Sequence, residues 1–325
     1  MRHASFGPGV FAAGLGVAAV LACAGPTAAG PAVTASPAFW RAWGDGKAEL
    51  SGYAVTTTRY GAPREGRIVL IYVTEPMDRR NWIKDDAGDV PPEARVNVMK
   101  LNNVLKFQTG IYPYSVMTSV FAPVDAWGPE RFAPAKIAMS AQEWCGLVYE
   151  KVMPGRESFE RELRSYFHAE GDSDTTVKTP PGTLYEDALL IQLRELDGPF
   201  ARGKDWVGSI VPSLWSQRKS HAAPGPLAAT IKRENASRDG VPVTRFTLTY
   251  GSVVTTYDVE KAAPRRVLGW KTPGGDEARL LKTARLPYWQ LNGPGDEKYL
   301  EQLWGQVSHG FIRGSRMNPW ETRPR

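Results

Sequence analysis

Thiol and imidazole are scarce in this chain. Two cysteines, Cys23 and Cys145, and four histidines are all that its 325 residues offer for soft-metal or nucleophile-and-base chemistry. With Cys23 in the leader, the folded body keeps one thiol and no disulfide, so its stability rests on the size of its core. Signatures of common enzyme classes are missing as well. No G-x-S-x-G, H-E-x-x-H, Walker loop or G-x-G-x-x-G precedes a suitable helix, which leaves hydrolase elbow, zincin and nucleotide chemistry without their usual supports. A dominant charge is absent too. The 40 basic and 34 acidic residues are dispersed without a Lys/Arg block, so the net charge of +6 lacks the clustered stripe that nucleic acid requires. No nucleic-acid partner is expected.

What is present begins with an address. Arg2 and His3 form a small basic region, and Val10–Ala22 (VFAAGLGVAAVLA) is an apolar run too short to span a bilayer. Residues 1–22 read as a signal peptide. The run ends in Val20-Leu21-Ala22-Cys23, which resembles the bacterial lipobox. That resemblance implies lipid attachment at Cys23, with Ala24 favouring the outer membrane. The competing reading is ordinary secretion after an A-x-A site such as Ala22-Cys23-Ala24. Residues 23–38, rich in Ala, Gly, Pro and Thr, form an uncharged tether.

Beyond a short helix at Phe39–Trp43, with Ser36-Pro37 as its cap, the pattern switches to period two. Lys47–Tyr60 and Gly66–Thr74 read as strands around a turn at Gly61–Glu65. Arg95–Phe107, Ile111–Phe121, Lys136–Ser140, Glu143–Val152 and Phe159–His168 continue the series. Thr183-Leu184-Tyr185-Glu186 resembles a capping box that starts an amphipathic helix running to Leu196. Trp206–Trp215 is apolar, with Pro212 marking an edge. Five further strands follow between Leu227 and Leu286, then a helix over Asp296–Val307. Such regular short strands predict a mainly β (α+β) fold, a large antiparallel meander that can curl into a half-barrel with a few packed helices. One β-rich domain over 39–308 is expected, with two halves meeting near 183–215 as the alternative, and a basic tail over 309–325.

The candidate sites are sparse. Cys145, in Gln142-Glu143-Trp144-Cys145-Gly146, is a nucleophile if His168, His221 or His309 activates it. Its strand-like surroundings favour a buried structural thiol instead. Cys145 and His168 are therefore weak candidates, and no catalytic residue is assigned. His168, Glu170, Asp172 and Asp174 alternate ligand types but miss the calcium-loop template, and read as an acidic turn. Neither metal nor cofactor is expected. Asp85-Asp86 and Glu186-Asp187 are adjacent carboxylates that do not face each other across a cleft, and read as solvated surface. The 11 tryptophans suit stacking on sugars, but at strand positions they read as core.

The segment FQTGIYPYSVMTSVF followed by QEWCG resembles an uncharacterised group of predicted bacterial envelope lipoproteins with no known activity, over residues 43–149. The resemblance implies an envelope location. The order of strands and helices also looks like the open half-barrels of lipoprotein carriers. The leading expectation is an exported, lipid-anchored outer-membrane protein that binds an apolar or amphipathic envelope ligand without catalysis, touching the membrane through its N-terminal anchor. A cysteine-dependent acyl transferase or hydrolase using Cys145, and an envelope assembly scaffold, are the alternatives.

Overall fold

A computed structural model describes residues 34–305, except 126 and 129. Cys23, the leader, most of the tether, His309 and the basic tail lie outside the described residues. The first strands are β1 (Ala48–Arg59), β2 (Ala62–Asp78), β3 (Ile83–Lys84), β4 (Arg95–Thr109), β5 (Tyr112–Pro123) and β6 (Lys136–Glu143). β7 (Gly146–Pro154), β8 (Ser158–Ser165), β9 (Ser173–Lys178) and β10 (Leu184–Tyr185) follow. The second half supplies β11 (Trp206–Val211), β12 (Leu227–Arg238), β13 (Val241–Tyr250), β14 (Val253–Glu260), β15 (Val267–Lys271) and β16 (Glu277–Leu286). Four short helices accompany them: α1 (Pro37–Trp43), α2 (Glu186–Gln192), α3 (Leu214–Ser220) and α4 (Glu297–Glu301). No helix among the described residues is long and apolar enough to cross a membrane.

The expected mainly β meander is what the chain forms. All 16 strands belong to one sheet, running β10 to β16 in order, then β1, β2 and β4 to β9, with β3 beside β2. Every pairing is antiparallel except that of β10 with β11. The seam joining the two halves is β16 against β1, from Ala48 opposite Leu286 to Thr56 opposite Glu277. Tight turns set the register. Tyr60 and Gly61, both at positive φ, close β1 onto β2, and Asp239 and Gly240 close β12 onto β13, the two-residue geometry whose twist matches the strands. The turn expected over Gly61–Glu65 is thus shorter, because a two-residue loop lets Ala62–Glu65 pair with Thr56–Arg59.

The sheet curls. Val152 and Phe159 near one end and Ile231 and Phe246 near the other join Tyr53 and Leu70 in a single buried cluster, together with residues of α1, α2 and α3. Helices α1, α2 and α3 therefore pack on the inner face. The Ser36 cap is formed as expected, its hydroxyl accepting the Phe39 N–H at 3.1 Å. The capping box is not: Tyr185 is the N-cap, without a side-chain bond, and the Thr183 hydroxyl donates to the Pro180 carbonyl. Glu186 is drawn off to other partners. Pro212 ends β11, and the unexpected α3 starts directly after it, capped by Ser213.

Candidate functional site

Helices cover much of the inner face, and open space remains on both faces of the sheet. A large apolar groove, about 770 Å³, lies on the outer face, between β1, β2 and β4 and the segment from Leu286 to Trp304. Period two explains the floor. Inner-facing Ile68, Leu70 and Leu105 enter the core, which sends Arg67, Val69, Ile71, Val104 and Lys106 outward. Leu50, Val73 and Leu303 form a small outer cluster with Val69, Ile71, Leu286 and Trp304 packed on it.

Gly52 makes that cover fit. A Cβ built there would stand 2.7 Å from the Leu303 carbonyl oxygen and 2.9 Å from the Leu303 Cβ, and the β1–β16 register shifts at this residue. Gly52→Val is expected to push the Leu303–Trp304 segment off the sheet, lowering stability by about 1–3 kcal/mol. It would also expose Trp304 to water and shift its emission. A melt and tryptophan emission identical to those of the unaltered protein would show that the segment is not seated on β1.

Electrostatics distinguish this groove from an ordinary apolar crease. Arg67 on β2 is directly opposite Lys106 on β4, and like charges so placed repel. Neither forms an ion pair with a carboxylate among the described residues. Arg67 instead lies 4.7 Å from the centre of the Trp304 ring, and burial lowers its pKa from the ordinary guanidinium value. Two carboxylates also line the groove; Glu65 accepts the Thr56 hydroxyl and Asp296 the Gly293 N–H, and neither pairs with Arg67 or Lys106.

The residues singled out in the sequence fall elsewhere. Cys145 is exposed, not buried as expected, because Trp144 and Cys145 form the turn between β6 and β7 instead of continuing a strand. The carboxylate of Glu143 accepts the Cys145 N–H at 2.7 Å, and its bond to the thiol and its charge raise the thiol pKa. A carboxylate neighbour keeps sulfur protonated, the reverse of nucleophile activation. His221 lines the same cleft as Cys145, but its Nδ1 stands 3.5 Å from Glu170, and no hydrogen bond joins a histidine to the sulfur among the described residues. The acidic run is committed to structure. Asp174 pairs with Arg164, Asp172 accepts the Ser165 N–H, and Glu170 binds Arg218 and the Ser165 hydroxyl. Asp85 is likewise buried and paired with Arg95 at 2.8 Å.

Glu186 and Asp187 are not solvated surface. They line an inner chamber of about 110 Å³, because the N-terminus of α2 points at that of α3. Glu186 accepts the Ser213 N–H at 2.9 Å, the Tyr250 hydroxyl at 2.9 Å and the Tyr257 hydroxyl at 3.3 Å. Asp187 accepts the Leu214 N–H at 3.0 Å. Burial raises the pKa of both, that of Asp187 to about 7. Asp187 keeps some accessible surface because it faces the chamber, yet its carboxyl is enclosed by protein, and the enclosure governs its titration. A helix-start pattern with two acids reads as exposed unless a second helix N-terminus is known to meet it, and α3 carried no signal strong enough to be read.

No family model matches the sequence, and no curated protein matches it. Among solved structures, it is similar to a beta-barrel-like protein of the domain of unknown function DUF1849 from Brucella abortus. That likeness has 11% identity and a TM-score of 0.43, covering 74% of this chain and 98% of that one.

Proposed function

We propose that the protein binds an anionic amphiphile in the outer groove, the acyl chain lying on Leu50, Val69, Ile71 and Val104 and the head between Arg67 and Lys106. The observation that carries this reading is the cation pair. Two like charges face each other at the end of an apolar floor without a carboxylate between them, and an anionic head relieves that repulsion. The groove volume is in the range of small-molecule sites. Catalysis is not part of the proposal.

Competition against a fluorescent fatty acid tests it. Laurate is expected to bind at least tenfold tighter than dodecanol, and dodecyltrimethylammonium to bind least. Arg67→Glu, which replaces the repulsion with an internal ion pair to Lys106, is expected to cost laurate about tenfold or more, on the order of 1.4 kcal/mol. Equal affinity for the three amphiphiles, or none for any of them, sinks the reading.

The same proposal places the protein at the outer membrane, lipid-anchored through Cys23 and carrying a ligand of envelope type. The apolar run before Cys23 and the resemblance of residues 43–149 to envelope proteins support it. Cys23→Ser is expected to abolish palmitate labelling and release the protein from the membrane fraction. Labelling that persists in the serine variant would remove the anchor.

A further inference from the structure

The cleft that holds Cys145, about 630 Å³, lies between α3 and strands β5 to β8, at the end of the sheet where the β1–β2 and β6–β7 turns stand. Its volume is in the range of small-molecule sites. Tyr60, Phe167 and Trp215 are its aromatic lining, and Ala141, Val148 and Leu163 its aliphatic lining. Three arginines, Arg59, Arg161 and Arg218, and three glutamates, Glu143, Glu150 and Glu170, line it as well.

These charges do not cancel pair by pair. Arg161 donates to Glu150 at 2.5 Å, Arg218 holds Glu170, and Glu143 accepts the Cys145 N–H. Arg59 has no carboxylate partner among the described residues. Its Nε and Nη2 donate to the Tyr114 hydroxyl at 3.4 Å and 3.3 Å, and the guanidinium stands 4.4 Å from the centre of the Tyr60 ring and 5.4 Å from that of Tyr114. Its Nη1 bonds no protein atom among the described residues and keeps accessible surface. Arg218 is pinned in the same way, 5.2 Å from the centre of the Phe167 ring, and only its Nη1 is spent, on Glu170. Rings thus hold both guanidiniums in place with N–H groups to spare. The two also oppose each other, since burial and then the charge of Arg59 lower the pKa of Arg218 from the ordinary guanidinium value.

We propose that this cleft binds an aromatic carboxylate. The carboxylate accepts from Arg59 Nη1 and from the N–H groups that Arg218 does not spend on Glu170, and so brings negative charge to two cations that repel each other. The ring of the ligand lies against Tyr60 and Phe167. A sugar acid would bring hydroxyls to a lining that is largely aromatic and aliphatic, where they go short of partners. A neutral ring would leave the repulsion in place. The site is separate from the outer groove, which contains neither arginine.

Titration of the full chain with 2-naphthoate tests the proposal. Cys145 is exposed in the same cleft, so its alkylation by iodoacetamide, mapped by mass spectrometry, reports occupancy there. Saturable protection of Cys145 is expected at the Kd that naphthoate fluorescence gives. 2-Naphthalenemethanol, which lacks the charge, and glucuronate, which lacks the ring, are each expected to bind about tenfold or more weakly. Arg59→Gln keeps a donor for the Tyr114 hydroxyl while removing the charge. In protein whose melt stays cooperative it is expected to raise the naphthoate Kd about tenfold or more, whereas Arg67→Glu leaves that Kd unchanged. If Arg59→Gln does not fold, the three ligands on the parent protein still decide. No naphthoate binding, binding without protection of Cys145, equal binding of the alcohol or of glucuronate, or full affinity in folded Arg59→Gln protein would overturn the proposal.

Discussion

Arg194→Ala is expected to destabilise the fold by roughly 3–5 kcal/mol, the range for breaking a buried ion pair from one side. Arg194 has no exposed surface, and Glu49 on β1 has 1%. Their charged groups meet at 2.8 Å and 3.1 Å. The same guanidinium donates at 2.9 Å to the carbonyls of Pro264 and Arg265, and lies 4.3 Å from the centre of the Tyr72 ring. It thus ties the end of α2 to β1, to β2 and to the turn before β15. Truncation leaves a buried carboxylate and two partly buried carbonyls without this partner, and that loss exceeds the worth of the pair itself. Urea unfolding should show a lower midpoint at unchanged slope. Arg194→Met combined with Glu49→Leu should recover most of the deficit. A double variant as weak as the single one would assign the loss to packing and not to stranded charge.

The second large effect depends on pH. Burial, partly offset by the Leu214 N–H and reinforced by Glu186 and Glu150, raises the Asp187 carboxyl from 3.8 to about 7. In the unfolded chain it ionises near 4. Between these values the folded protein holds a proton that the unfolded chain has released, so Asp187 makes stability fall as pH rises from about 4 to about 7. Above pH 7 the full cost remains, up to about 4 kcal/mol. Asp187→Asn is therefore expected to be the more stable protein at pH 8 and to converge with the parent near pH 3, below the unfolded pKa. Urea midpoints at several pH values measure it, and a difference that does not vary with pH would refute the assignment.

The sheet was legible in the sequence because alternation of Val, Ile, Thr and Tyr is a local signal and Asp239-Gly240 punctuates it. The Ser36 cap was readable for the same reason. What lay hidden depends on distant chain segments. Arg67 and Lys106 look like dispersed surface charge until the register of β2 against β4 sets them face to face. Glu186 and Asp187 look solvated until α3 arrives with its Ser213 and Leu214 N–H groups. Cys145 looked like a strand residue because Trp144 and Leu147 flank it, yet a two-residue turn turns it outward. Strand β9 (SDTTVK) had too little apolar character to be separated from the acidic run before it.

The pairing of β16 with β1 has a consequence for the order of events during biogenesis. β1 is among the first strands made, yet its partner on one side is the last strand of the sheet. Until residues near 286 have emerged, a twelve-residue edge of backbone donors and acceptors stays open to any extended chain nearby. Contacts so distant in sequence also form slowly. Nascent protein should therefore depend on a holding chaperone up to its final strand, and truncation just before β16 should make the domain aggregate.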